Sequence, residues 1–154
     1  MTVSIDIKGL DKAVAKLVKA GKLKELGGAL KAAGLHVQGK INVYPAATEA
    51  NSPGNPTGKW YERGFGSKWQ RKDGSIGGRK TSETLGRKWT VDQPDSFSVV
   101  IGNNVSYGPW VQDPEKQTSF HAEHGWKTTA QVAKEETHAV MDFIRKEIRK
   151  VLGD

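Results

Sequence analysis

His121 and His124 flank Glu123, a spacing that can bring two imidazoles to one metal ion in a turn. Structural or catalytic zinc normally takes three or four assembled ligands with further contacts behind them. His36 and His138 lie elsewhere in the chain, so the pair reads as loop histidines that hydrogen-bond nearby backbone ahead of Gly125-Trp126, and no metal is expected. Gly74-Ser75-Ile76-Gly77-Gly78-Arg79-Lys80-Thr81 has the outline of a phosphate-binding loop. That motif needs glycine directly before its Lys-Thr pair, where this chain has Arg79. A glycine-rich basic turn explains the residues, and no cofactor is expected. No serine or threonine sits in a nucleophile-elbow sequence. The carboxylates Glu135, Glu136, Asp142 and Glu147 alternate with lysines and arginines as a solvated helix face would. Catalysis is therefore not expected; a metal-dependent nuclease using His121 and His124 is the enzyme reading that would have to displace this one.

A different chemistry is suggested between positions 59 and 89. Trp60, Tyr61, Phe65 and Trp69 are interleaved with positive charge, and the stretch holds nine Lys or Arg residues against three acids. Cations neutralise phosphates, and aromatic faces stack on unpaired bases. Arg63, Lys68, Arg71, Lys72, Arg79 and Lys80 are thus candidate polyanion contacts, and a nucleic-acid-binding module is the alternative reading of the whole chain. The competing account is that the aromatics anchor this segment to the core or to another subunit while the charges keep it soluble. On that account Trp60, Tyr61, Trp69, Tyr107 and Trp110 are interface anchors, since aromatic residues supply large contact areas at modest entropy cost.

The elements that must position these residues follow from periodicity. Val3, Ile5 and Ile7 alternate with polar residues as in a half-buried strand, and Lys8-Gly9 breaks the pattern. Leu10, Val14, Leu17 and Val18 then fall on one face of a helix that Gly21 ends or interrupts. A second helix is predicted over about 23–43, with Leu23, Leu26, Leu30, Val37 and Ile41 at helical spacing. Its glycines at 27, 28, 34 and 39 each cost about 1 kcal/mol relative to alanine, so close packing should use the missing side chains. Gly28, Ala32, Leu35 and Gly39 form a narrow, mostly small stripe where another backbone could approach, and an intramolecular helix contact is expected there ahead of a subunit interface. Residues 44–59 are turn-rich and read as a mobile loop, and Asp73-Gly74 signals a hairpin. Residues 87–92 and 97–102 read as an antiparallel pair, with Phe97, Val99 and Ile101 on one face of the second strand. Residues 128–151 form a long amphipathic helix, opened by a capping box of Thr128 and Gln131 and lined by Val132, Val140, Phe143, Ile144, Ile148 and Val151.

Together these give an α+β fold: a small antiparallel sheet flanked by N-terminal helices and a long C-terminal helix, with an extended basic loop or hairpin arm at about 51–82. The 154 residues are expected to form one domain, which at this size buries roughly 70% of the surface of the unfolded chain. Only 36% of the residues are hydrophobic and 18 are glycine, so the core should be modest. Cysteine is absent, which removes disulfide and thiolate chemistry. The start of the chain lacks the layout of a signal peptide, and no apolar run approaches the roughly 20 residues that span a bilayer. A soluble, intracellular protein with no membrane partner is expected. The formal charge of +7 favours a polyanionic partner or an acidic protein surface.

The order of features resembles the small tail-component proteins of long-tailed bacteriophages, which include tail-completion and head-to-tail joining proteins. Val3-Ser4-Ile5-Asp6-Ile7-Lys8-Gly9-Leu10-Asp11 is similar to the family's strand leading into a first helix, and the second helix with Ala32-Ala33 follows. Thr84-Leu85-Gly86-Arg87-Lys88-Trp89 resembles the approach to its central strands. Ile101-Gly102-Asn103-Asn104-Val105-Ser106-Tyr107-Gly108-Pro109-Trp110-Val111-Gln112 resembles its strand end, aromatic and short hydrophobic turn. A long C-terminal helix closes both. The chain departs from the pattern in its long 51–82 segment, and in Gln112-Asp113-Pro114, which replaces an acidic glycine motif. The resemblance implies a structural virion protein made in the host cytoplasm. It would act without catalysis in a ring of its own copies, expected to be six-fold, against head-closure, tail-terminator or tail-tube proteins, with DNA in the channel as a further contact.

Overall fold

The computed structural model describes residues 2–3, 12, 15, 18, 21, 23–63, 65–80 and 84–152. The fold is α+β. Among the described residues it comprises β1 (Thr2–Val3), α1 (Leu23–Ile41), β2 (Lys59–Glu62), β3 (Gly66–Gln70), β4 (Ile76–Gly78), α2 (Thr84–Arg87), β5 (Trp89–Asp95), β6 (Ser98–Asn103), α3 (Gly108–Gln112), α4 (Ser119–Glu123) and α5 (Thr129–Leu152). Most of the predicted first strand, and most of the predicted helix from Leu10, lie outside the described residues. The chain gathers into two compact units.

One unit comprises residues 2–40, 90–102 and 132–154. Its antiparallel sheet has the order β1-β6-β5, with Thr2 opposite Gly102 and Val3 opposite Ile101. Pro94 sits in β5, which lies at the sheet edge, where a missing N–H interrupts no ladder. On α1, Leu26, Leu30, Ala33 and Val37 are buried at helical spacing. The glycines that allow close packing are Gly27 and Gly34: a Cβ at 27 would stand 3.2 Å from Gln93 Nε2, and one at 34 would stand 2.5 Å from a Val99 methyl. The intramolecular contact does not use the expected stripe. Gly28, Ala32, Leu35 and Gly39 are exposed, and a Cβ at Gly28 or Gly39 would meet nothing within 4 Å among the described residues. The helix has turned its other glycines to the sheet, because the sheet-facing row is set by the large apolar residues. On α5, Val132, Val140, Ile144 and Val151 are buried, whereas Phe143 is 44% exposed, its ring centroid 5.4 Å from that of His36. Glu136 accepts from His36 Nε2 at 2.7 Å and pairs with Lys40 Nζ at 3.4 Å, tying α5 to α1.

The other unit comprises residues 41–89 and 103–131. Where a single basic loop or hairpin was expected, β2, β3 and β4 form a second antiparallel sheet in sequential order. The Asp73-Gly74 signal marks its β3–β4 turn: Gly74 has a φ of 83°, and Asp73 Oδ1 accepts from the Ser75 amide at 3.0 Å. Leu85, Val111 and Trp126 form a buried cluster, with Tyr44, Tyr61 and Val105 packed against it. The turn-rich segment ahead of β2 is pinned by Asn51, only 2% exposed. Its Nδ2 donates to the carbonyls of Ala46 and Tyr61 at 3.1 Å each, and its Oδ1 accepts from the Tyr61 amide. The capping box is formed as predicted, with Thr128 N donating to Gln131 Oε1 at 2.7 Å and Gln131 N to Thr128 Oγ1 at 3.2 Å.

Candidate interaction surfaces

Two surfaces on the second of these units carry the residues singled out by the sequence. The first is α3. Pro109 occupies its first turn, a position where a missing N–H costs nothing. The short helix is held from within: Val111 and Gln112 are buried, and Gln112 Nε2 donates at 3.0 Å to the carbonyl of Ile41, the last residue of α1. That carbonyl is one of the helix-end groups left without an intrahelical partner. Gln117 Nε2 donates to the Val111 carbonyl at 2.7 Å, and the Thr118 amide to the Trp110 carbonyl at 3.0 Å. With the backbone fastened on both sides, Tyr107 and Trp110 project outward, 46% and 54% exposed.

The second surface is the β2–β3–β4 sheet. Lys59, Trp69 and Gly77 form one cross-strand row, and Trp60, Lys68 and Gly78 the next. Trp60 is 6% exposed and so is a core residue of its own unit, not an outward anchor; Trp69 is 38% exposed. Lys68 is half-buried, pairs with Glu62 and sits 4.7 Å from the centroid of the Phe65 ring. Arg63, Arg71, Lys72, Arg79 and Lys80 are exposed.

Tyr61 lies inward. Its ring is stacked 5.8 Å from that of His121 and edge-on at 5.5 Å to Trp126, with Phe120 at 5.7 Å. Burial pushes its hydroxyl pKa up to about 12. Burial and, secondarily, the neighbouring His124 hold the His121 imidazole below its ordinary value. His124 is 2% exposed, with Nδ1 2.6 Å from the Phe120 carbonyl and Nε2 2.8 Å from the Lys59 carbonyl. Both ring nitrogens are committed to backbone, so in this arrangement His124 has none to offer a metal. Among the described residues no group of three or more His, Asp or Glu is placed to hold a metal ion, and no helix is long and apolar enough to cross a membrane.

Of the five aromatics that the sequence singled out as anchors, Trp69, Tyr107 and Trp110 are exposed, whereas Trp60 and Tyr61 are turned inward; of the two histidines, His124 contacts backbone, whereas His121 Nδ1 lies 2.6 Å from Thr118 Oγ1. Sequence reasoning missed Asn51 and Gln112, two buried amides that pin backbone. Their only signal was position: an asparagine at the head of a proline-glycine run, and a glutamine directly ahead of Asp113-Pro114. No protein-family model, curated protein or solved structure matches the chain.

Proposed function

We propose that this chain is a structural virion subunit of a tailed phage, a neck or tail-completion protein that joins head to tail by assembling into a ring with its own copies. The observation that supports the reading best is α3, which buries Val111 and Gln112 while holding Tyr107 and Trp110 in solvent. Protein interfaces draw much of their energy from a few aromatic anchors that are rigid before binding. A pair of exposed aromatics on a backbone fastened at Trp110, Val111 and Gln112 fits that requirement, and it falls in the segment of strongest resemblance to the tail-component family. Heterologous contacts of this kind, repeated around an axis, generate closed rings. The role is assembly rather than catalysis, and the protein resides in the virion.

Electron microscopy of lysates from a phage lacking the gene tests the reading. Separate DNA-filled heads and unattached tails are expected. Normal, fully assembled virions would overturn it.

A further inference from the structure

The indole of Trp69 is seated on a glycine. A Cβ at Gly77 would stand 2.6 Å from both Cε2 and Nε1 of Trp69 and 3.0 Å from Cζ2. Three ring atoms at nearly equal distance from one point place the ring face-on across β4. Only a residue without a side chain permits that approach. Supported from beneath, the ring is still 38% exposed. Lys59, directly opposite Trp69 in the register, shares its face of the sheet.

Positive charge collects at the same sheet. Arg71 is fastened across the β3–β4 turn, its Nη1 donating to the Ile76 carbonyl at 3.2 Å and to Ser75 Oγ at 3.4 Å. Lys72 follows in the turn, and Arg79 and Lys80 follow β4 directly, all exposed. The acids among described residues 59–80 are occupied locally: Glu62 by Lys68, and Asp73 by the Ser75 amide and hydroxyl at 3.0 and 2.7 Å. Among described residues 59–80, neither acid is thus paired with Arg71, Lys72, Arg79 or Lys80, which are exposed.

A supported aromatic ring with Lys59 beside it, on a sheet whose turn and strand end carry four more exposed cations, matches an unpaired base on a phosphate backbone. Stacking requires a base free of its duplex, and the cations release counterions from the phosphates. An acidic protein surface would use the charges and could pack on the indole, but an unpaired base offers a flat face of its own to a ring seated flat across β4. We propose that the β2–β3–β4 sheet is a binding site for single-stranded nucleic acid, with Trp69 stacking on a base and Lys59, Arg71, Lys72, Arg79 and Lys80 contacting phosphates. This goes beyond the virion role and does not depend on it, because the isolated chain would bind whether or not it joins heads to tails.

Fluorescence anisotropy of a labelled oligothymidylate, of a duplex of equal length and of labelled polyglutamate, each titrated with the full chain over a salt series, tests the proposal. The single strand should bind most tightly and weaken steeply as salt rises. Trp69→Ala should weaken it roughly 5- to 150-fold, the loss of one stacked base, whereas Trp69→Phe should retain most of the affinity. Arg79→Ala should lower the logarithmic salt slope by about 0.7 for a lost phosphate contact on a single strand. Thermal unfolding followed by circular dichroism checks that each variant is folded. Equal affinity for duplex, unchanged affinity in folded Trp69→Ala, or no binding at low salt would each overturn the proposal. Tighter binding of polyglutamate would overturn it in favour of an acidic protein partner.

Discussion

Gly34 of α1 and Val99 of β6 are so closely packed that a Cβ at position 34 would stand 2.5 Å from a Val99 methyl. That distance lies well inside van der Waals contact, and Val91 lies beside it at 3.2 Å. Gly34→Ala should therefore destabilise the protein by about 1–3 kcal/mol, the usual cost of overpacking a filled interior. Gly28→Ala and Gly39→Ala meet nothing within 4 Å among the described residues and should be neutral or stabilising by up to ~1 kcal/mol through helix propensity. Urea unfolding of the three variants checks the contrast. Three equal midpoints would mean that the helix does not sit on the sheet in this way.

The same helix marks how far the sequence was legible. The apolar spacing of Leu26, Leu30, Val37 and Ile41 predicted both the helix and its inner face, because burial of large side chains outweighs four glycine penalties. Gly34, four residues after Leu30 and three before Val37, lies in that same inner row, so the large residues pointed to it, whereas a small-residue stripe taken alone carries no information about which face is inward. Thr128 and Gln131 predicted the start of α5, since a capping box is a local arrangement of two side chains. The second sheet was legible only as a hairpin. Its strands are four, five and three residues long, too short for alternation to register. Asn51 was hidden for a related reason: its partners Ala46 and Tyr61 are backbone groups, which leave no mark on composition. The exposed placement of Trp110 and the buried placement of Trp60 depend on tertiary packing, and residue type alone treats them alike.

Glu136 supplies a test in acid. His36 first, and then Lys40, hold its carboxyl below the usual glutamate value. A carboxyl depressed in the folded state contributes stability that is fully present above its unfolded value near 4.5. That contribution is lost as pH falls through the lower folded value, because the folded state must then take up a proton it disfavours. Wild-type protein should lose stability over that window, and Glu136→Gln should lose less. The imidazole of His121 is depressed mainly by burial, and its penalty appears at higher pH, as the medium falls below the ordinary value of 6.5. The two windows can thus be separated by measuring urea midpoints against pH for Glu136→Gln and His121→Gln. Parallel pH profiles for wild type and Glu136→Gln would remove the ion pair from the account.

Tyr61 supplies the test in base. Burial raises its pKa from 10.0 to about 12, so between those values the unfolded chain has released the proton while the folded chain keeps it. Stability should be complete below pH 10 and should decline as pH rises toward about 12. Ultraviolet titration of tyrosinate in the native protein should show Tyr61 ionising in a late step, near pH 12. Tyr61→Phe should delete that late step and flatten the alkaline decline. A late step that persists in Tyr61→Phe would assign the buried hydroxyl to another residue.

Trp110 separates folding from assembly. Its side chain is 54% exposed while its carbonyl accepts from the Thr118 amide, so truncating the ring leaves the backbone contacts in place. Trp110→Ala should change stability by no more than ~0.5 kcal/mol, as surface substitutions generally do. An aromatic anchor at the centre of an interface costs about 2 kcal/mol or more on truncation, roughly 30-fold in affinity for each contact made. In a closed ring every copy loses the contact, so the deficit is multiplied around the axis. A phage carrying Trp110→Ala should accumulate folded subunit together with unjoined heads and tails, and Tyr107→Ala should act in the same direction. Plating efficiency gives the outcome, and the unfolding midpoint of the purified variant shows whether a loss of plating comes from assembly or from misfolding. Full infectivity with Trp110→Ala and Tyr107→Ala combined would show that this aromatic pair makes no essential contact and would leave the joining role to some other surface.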